Sequence, residues 1–157
     1  MTAQTPILCA IDFSDDSEAA LLWAAAQAER EDAPLVVLHV VHDPAGNPGT
    51  YRRPSADWLE PIEEVAEEMF GEFLDGVLKR NPAAPGLARI AETKLETGLP
   101  SGRICEVADE IGARHVVVGS RGRTGLPHVM LGSVAERVAQ LAAPPVTVVK
   151  KREGYAT

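Results

Sequence analysis

The chain has 157 residues, 45% of them hydrophobic and 24% charged, with a formal net charge of −8. That balance suits one globular domain over residues 1–157 and argues against disorder. The acid excess argues against a nucleic-acid partner, because binding a phosphate backbone needs a basic footprint. No stretch approaches the roughly 20 apolar residues of a membrane span, so a cytoplasmic protein with no membrane insertion is expected.

Pro6 to Ile11 is a continuous apolar run that stops at Asp12, the pattern of a strand buried on both faces. Asp15 with Glu18 three residues on predicts a helix start, and Ala19, Leu22, Trp23 and Ala26 follow at helical spacing. After Pro34, Leu35 to Val41 predicts a second buried strand, within which His39 is expected as a core histidine with its hydrogen bond satisfied. Residues 42–56, rich in Pro, Gly and Arg, read as a variable loop. A long amphipathic helix is predicted from the stripe Leu59, Ile62, Ala66, Met69, Phe70, Phe73 and Val77. Its many glutamates read as a solvated face rather than a metal site.

Asn81 to Gly86 is a helix-breaking cluster, and Arg89 to Leu95 alternates as an exposed edge strand does. Gly98-Leu99-Pro100 opens a third helix carrying Ile104, Val107, Ala108 and Ile111. His115 to Val118 is a fourth strand, and Ser133 with Glu136 predicts a capping box for a last helix. Pro144-Pro145 halts that helix before a final strand, Val146 to Val149, and a basic tail. Cys9 and Cys105 lack CxxC spacing and are expected as reduced core thiols. His42, His115 and His128 share no ligand spacing, so no metal site is expected.

Strictly alternating β and α elements predict a doubly wound α/β fold, a parallel sheet with helices on both faces. Its ligand crevice lies at the carboxyl ends of strands where the strand order reverses. Two strand ends carry suggestive residues, Asp12 and Gly119. The P-loop and GxGxxG patterns are both missing. What stands there instead is Gly119-x2-Gly122, then nine residues, then Gly132-Ser133. Glycines let backbone N–H groups approach a phosphate, and a helix start adds unpaired N–H groups and about half a positive charge. A phospho-acceptor receiver domain would need an acceptor aspartate after the third strand, where this chain has Glu96-Thr97-Gly98.

On these residues the chain resembles the universal stress protein family in its ATP-binding branch. The likeness runs through Ala10 to Ser14, Leu38 to Val40, Gly98-x-Pro100, and Val117 to Gly122 with Gly132-Ser133-Val134, which meets the family motif Gly-x2-Gly-x9-Gly-Ser/Thr. The resemblance implies an adenine nucleotide alpha-hydrolase-like fold of five parallel strands in the order 3-2-1-4-5. It implies ATP, with Mg2+ held by the phosphates, or else AMP or another adenine nucleotide. It places Asp12 at the ribose or a metal-linked water, Val40 at the adenine and Val118 beneath the nucleotide. Gly119, Gly122, Gly132, Ser133 and Val134 would surround the phosphates. Read from the residues alone, Arg121 and Arg123 flank the glycines and either neutralise phosphate charge or are solvated loop arginines. The resemblance also implies a homodimer through Val146 to Val149, whose apolar edge needs cover, and a protein partner yet to be identified. No catalytic residue is assigned, so hydrolysis is expected to be slow or absent. A nucleotide-independent interaction protein is the alternative of another class.

Overall fold

The structure, a computed structural model, describes residues 4–42, 62–121 and 131–151. Among them run β1 (Ile7–Ala10), α1 (Asp15–Glu31), β2 (Leu35–Val41), α2 (Ile62–Arg80), β3 (Ile90–Thr97), α3 (Pro100–Ile111), β4 (His115–Gly119), α4 (Ser133–Leu141) and β5 (Val146–Val149). The sheet is five-stranded in the order β3-β2-β1-β4-β5, and every pairing is parallel. Strand order reverses between β1 and β4, which pair Cys9 with Val117 and Ala10 with Val118. The predicted crevice therefore falls where Asp12 and Gly119 emerge. The loop expected over 42–56 lies, beyond His42, outside the described residues, as do Leu59, Gly122, His128 and the part of the basic tail beyond Lys151.

Strand residues alternate between two cores. Ile7, Cys9, Ile11, Leu35, Val37 and Val117 pack with α1 and α2, whereas Leu8, Ala10, Val36, Leu38, Val40, Val116 and Val118 pack with α3 and α4. All seven residues of β2 are buried, which explains its unbroken apolar run. β3 is an edge strand with charged residues Glu92, Lys94 and Glu96, and it extends two residues beyond the predicted Leu95. β5, the opposite edge, is apolar and half-buried. Among the described residues no helix is long and apolar enough to cross a membrane.

Two local readings change. The side chain that caps α1 is Ser14, which accepts from the Ser17 amide, one residue before the expected Asp15; the first-turn acids Asp15, Asp16 and Glu18 instead complement the helix dipole. The buried face of α1 is Ala20, Leu21, Ala24, Ala25 and Ala28, while the predicted Leu22 and Trp23 lie at its half-buried flanks. An alanine-rich helix has a weak apolar period, and small side chains let its backbone come close to its neighbours. Gly86 uses that proximity. Its φ is +84°, and a Cβ there would fall inside the Ala25 carbonyl group.

Cys9 is fully buried in the sheet, and desolvation pushes its thiol up to about 12. Cys105 is only half-buried, at the edge of the core rather than within it, and its thiol is raised by burial and then by Asp109.

Candidate functional site

The crevice is built from three chain segments: the turn after β1, the end of β4, and the start of α4. At the first, Asp12 Oδ1 accepts from the Ser14 amide at 3.1 Å, the Ser14 hydroxyl at 2.5 Å and the Ser17 hydroxyl at 2.6 Å. The Asp12 amide donates to Ser17 Oγ at 2.8 Å. One carboxylate oxygen thus serves the helix start, and Oδ2 takes none of these bonds. Asp12 therefore braces the start of α1 from the turn after β1.

The turn is braced from behind. Phe13 adopts φ +68°, a left-handed conformation that costs a non-glycine residue about 1 kcal/mol or more. Its ring lies 4.2 Å from that of His39, 5.7 Å from Phe73 and 6.2 Å from Phe70. His39 is buried, and its Nδ1 donates to the Ile11 carbonyl at 2.8 Å. That is the satisfied histidine the apolar strand predicts, here holding the peptide that leads into Asp12.

At the second segment, Gly119 ends β4 where a Cβ would lie 2.9 Å from the carbonyl carbon of Asp16. The strand end is pressed against the first turn of α1, and only a glycine leaves room. Ser120 is buried; its amide donates to the Val149 carbonyl at 2.9 Å and its hydroxyl to Asp16 Oδ2 at 3.0 Å. Arg121 turns toward the same carboxylate, with Nε 3.0 Å from Oδ2 and Nη2 3.3 Å from Oδ1.

Asp16 is 3% exposed. Burial alone would raise its carboxyl, but bonds from Arg121, the Lys151 amide and Ser120 together hold it below the ordinary carboxylate value. The fold therefore releases its proton at lower pH than the unfolded chain, for which about 3.9 is usual. The stability it contributes is present above that pH and is lost as pH falls through the lower folded value. Asp16→Asn is expected to be less stable than the parent at pH 7, and to lose less stability as the pH falls below the ordinary carboxylate range. Equal acid losses in melting curves of the two proteins would show that Asp16 does not contribute to acid unfolding.

At the third segment, α4 starts differently from the capping-box expectation. Its N-cap is Gly132, with no side-chain cap bond, and Ser133 is the first helical residue. The Gly132 amide donates to the Ser120 carbonyl at 2.6 Å, which seats the helix start directly on the residue after β4. The amides of Ser133, Val134 and Ala135 fall in the first turn, where N–H groups lack intrahelical partners. Ser133 and Val134 are exposed at this end.

The structure thus ties Ser120 and Arg121, just after Gly119, to Gly132 at the start of α4, which carries Ser133 and Val134, while Asp12 follows the neighbouring strand β1. Val40 and Val118 are buried beneath α3 and α4. Gly122 lies outside the described residues. His115 lies at the amino end of β4, away from the crevice, with Nε2 2.6 Å from Thr147 Oγ1. Asp16 and Ser120 were not foreseen. An acid in a first helical turn reads as a partner for the dipole, and nothing in its spacing says that it faces inward.

Residues 5–150 match the model of the universal stress protein family. A universal stress protein of Mycolicibacterium smegmatis is 36% identical over 150 residues, which is 96% of this chain and 47% of that protein. The chain thus spans about half the length of that relative. Universal stress protein YxiE of Bacillus subtilis is 35% identical over 144 residues, covering 92% of this chain and 97% of its own. Among solved structures, the universal stress protein from Archaeoglobus fulgidus in complex with dAMP superposes with a TM-score of 0.63 at 26% identity, over 95% of this chain and all (100%) of that one.

Proposed function

The chain belongs to the universal stress protein family, and from that premise we propose that it binds an adenine nucleotide, ATP foremost, at the β1–β4 crevice. The observation that carries this reading is the junction of Gly132 with Ser120. It sets an exposed helix N-terminus over a strand end stripped of side chain. Such an end supplies N–H donors and a positive partial charge for phosphate, which a net charge of −8 would otherwise repel.

Gly119, Gly122, Gly132, Ser133 and Val134 surround the phosphates, Asp12 faces the ribose or a water on the cation, and the backbone of Val40 lies by the base. Mg2+ travels on the phosphates. The dAMP bound by the Archaeoglobus relative supports an adenine nucleotide as the ligand class. The protein acts as a cytoplasmic regulatory module, paired with a second copy along β5, whose apolar outer edge favours such cover.

Mass analysis of ligand released on denaturation, together with thermal shifts in Mg-ATP, AMP and cyclic AMP, tests this reading. A ligand at a hundred times its dissociation constant adds about 2.7 kcal/mol, or roughly 5–10 °C for a domain of this size. No shift with any adenine nucleotide would leave the nucleotide-independent interaction protein. Multiple turnover that disappears in Asp12→Ala would establish a slow ATPase.

A further inference from the structure

The most heavily bonded buried charge among the described residues is not at the mouth of the crevice but behind it. Asp16 accepts four bonds from three sources: Ser120 Oγ and Arg121 Nε on Oδ2, Arg121 Nη2 and the Lys151 amide on Oδ1, at 3.0, 3.0, 3.3 and 3.2 Å. A buried carboxylate is expensive unless its lone pairs are filled. Here the fork of Arg121 and two further donors fill them.

We propose that Asp16 is a positioning residue for the phosphate-binding loop. It fixes the first turn after β4 through Ser120 and Arg121, and ties that turn to the chain leaving β5 through the Lys151 amide. The proposal rests on the nucleotide reading above. The connection onward is direct, because the carbonyl of the residue whose hydroxyl binds Asp16 receives the Gly132 amide. Asp16 thereby sets where the α4 N-terminus sits relative to Gly119. Arg121 acts as a clamp, its charge matched by Asp16, and contributes to phosphate binding through loop geometry. Lys151 follows edge strand β5 by two residues, so the loop and the end of that edge share one anchor.

The test compares the full chain with Asp16→Asn, Arg121→Gln, the double variant and Arg121→Lys. It measures melting temperature, backbone amide exchange without nucleotide, and Mg-ATP affinity. Asp16→Asn keeps the shape but loses the charge and the fork. It is expected to speed exchange about tenfold across 119–121, 131–135 and 149–151, and to weaken Mg-ATP about tenfold, the equivalent of one charge-assisted bond. Arg121→Gln should do the same, the double variant no worse than either, and Arg121→Lys should recover part of both losses. Unchanged exchange in Asp16→Asn would overturn the proposal. So would additive affinity losses, which would make Arg121 an independent phosphate ligand. Should Asp16→Asn not fold, Arg121→Gln and its lysine rescue decide alone. Parent protein that binds no adenine nucleotide would overturn the function reading while the exchange data still judge the anchor. Parent that binds, with Asp16→Asn binding equally well, would overturn the anchor alone.

Discussion

Gly86→Ala is expected to lower the melting temperature by roughly 8–16 °C, corresponding to a loss of about 4 kcal/mol. Two penalties add at this position. The backbone is left-handed, with φ +84°, which disfavours any side chain. The new methyl would also fall inside the Ala25 carbonyl of α1, a buried backbone group in the middle of a helix that packs on the sheet. A flexible side chain could swing aside, but a helix backbone cannot. The turn before β3 would have to lift away from α1, breaking the ion pairs of Arg89 with Glu29 and Asp32. Gly102→Ala, where nothing lies within 4 Å of the added methyl, is the control and should be neutral or slightly stabilising. Equal melting temperatures for Gly86→Ala and the parent would refute the contact.

Gly132→Val is expected to reduce adenine nucleotide affinity at least a hundredfold while shifting the melting temperature by only a few degrees. At Gly132 a Cβ would lie 3.1 Å from the Ser120 carbonyl oxygen and 3.2 Å from that of Arg121. A branched residue forces the start of α4 away from the strand end and disrupts the 2.6 Å bond between them. Ala135 and Val138 still pack into the core, so the helix survives, displaced at its first turn. Two charge-assisted bonds to phosphate, at roughly 1.5–3 kcal/mol each, account for a loss of that size. Calorimetry beside melting curves separates binding from folding. Affinity kept within threefold of the parent would mean that phosphate does not sit at this junction.

The parallel sheet and its helices on both faces were legible because they follow from long apolar runs and strict alternation, signals that survive without any side-chain geometry, whereas the strand order came only through the family resemblance. The spacing of the glycines and Ser133 is legible as a motif in the sequence alone. What escaped depends on direction in space. Gly132, not Ser133, caps α4, because the glycine's own amide bonds across to Ser120. Arg121 lies on Asp16 because a first-turn acid of α1 happens to face the end of β4. Gly86 read as one more breaker in a proline-rich turn, since nothing in the sequence placed it against Ala25. The apolar face of α1 was misjudged by two residues, more than half a turn, because alanine marks a helical face weakly.

The sheet has two rims of unlike character. One carries Glu92, Lys94 and Glu96, and the other is the half-buried, uncharged valine-threonine ladder of β5. Charges along a rim discourage a stranger's strand, whereas an uncharged ladder invites one. A subunit with a single inviting rim can take on one twin related by a half-turn and then has nothing left to extend from. Any growth through sheet rims would therefore stop at two copies instead of running on into a fibre.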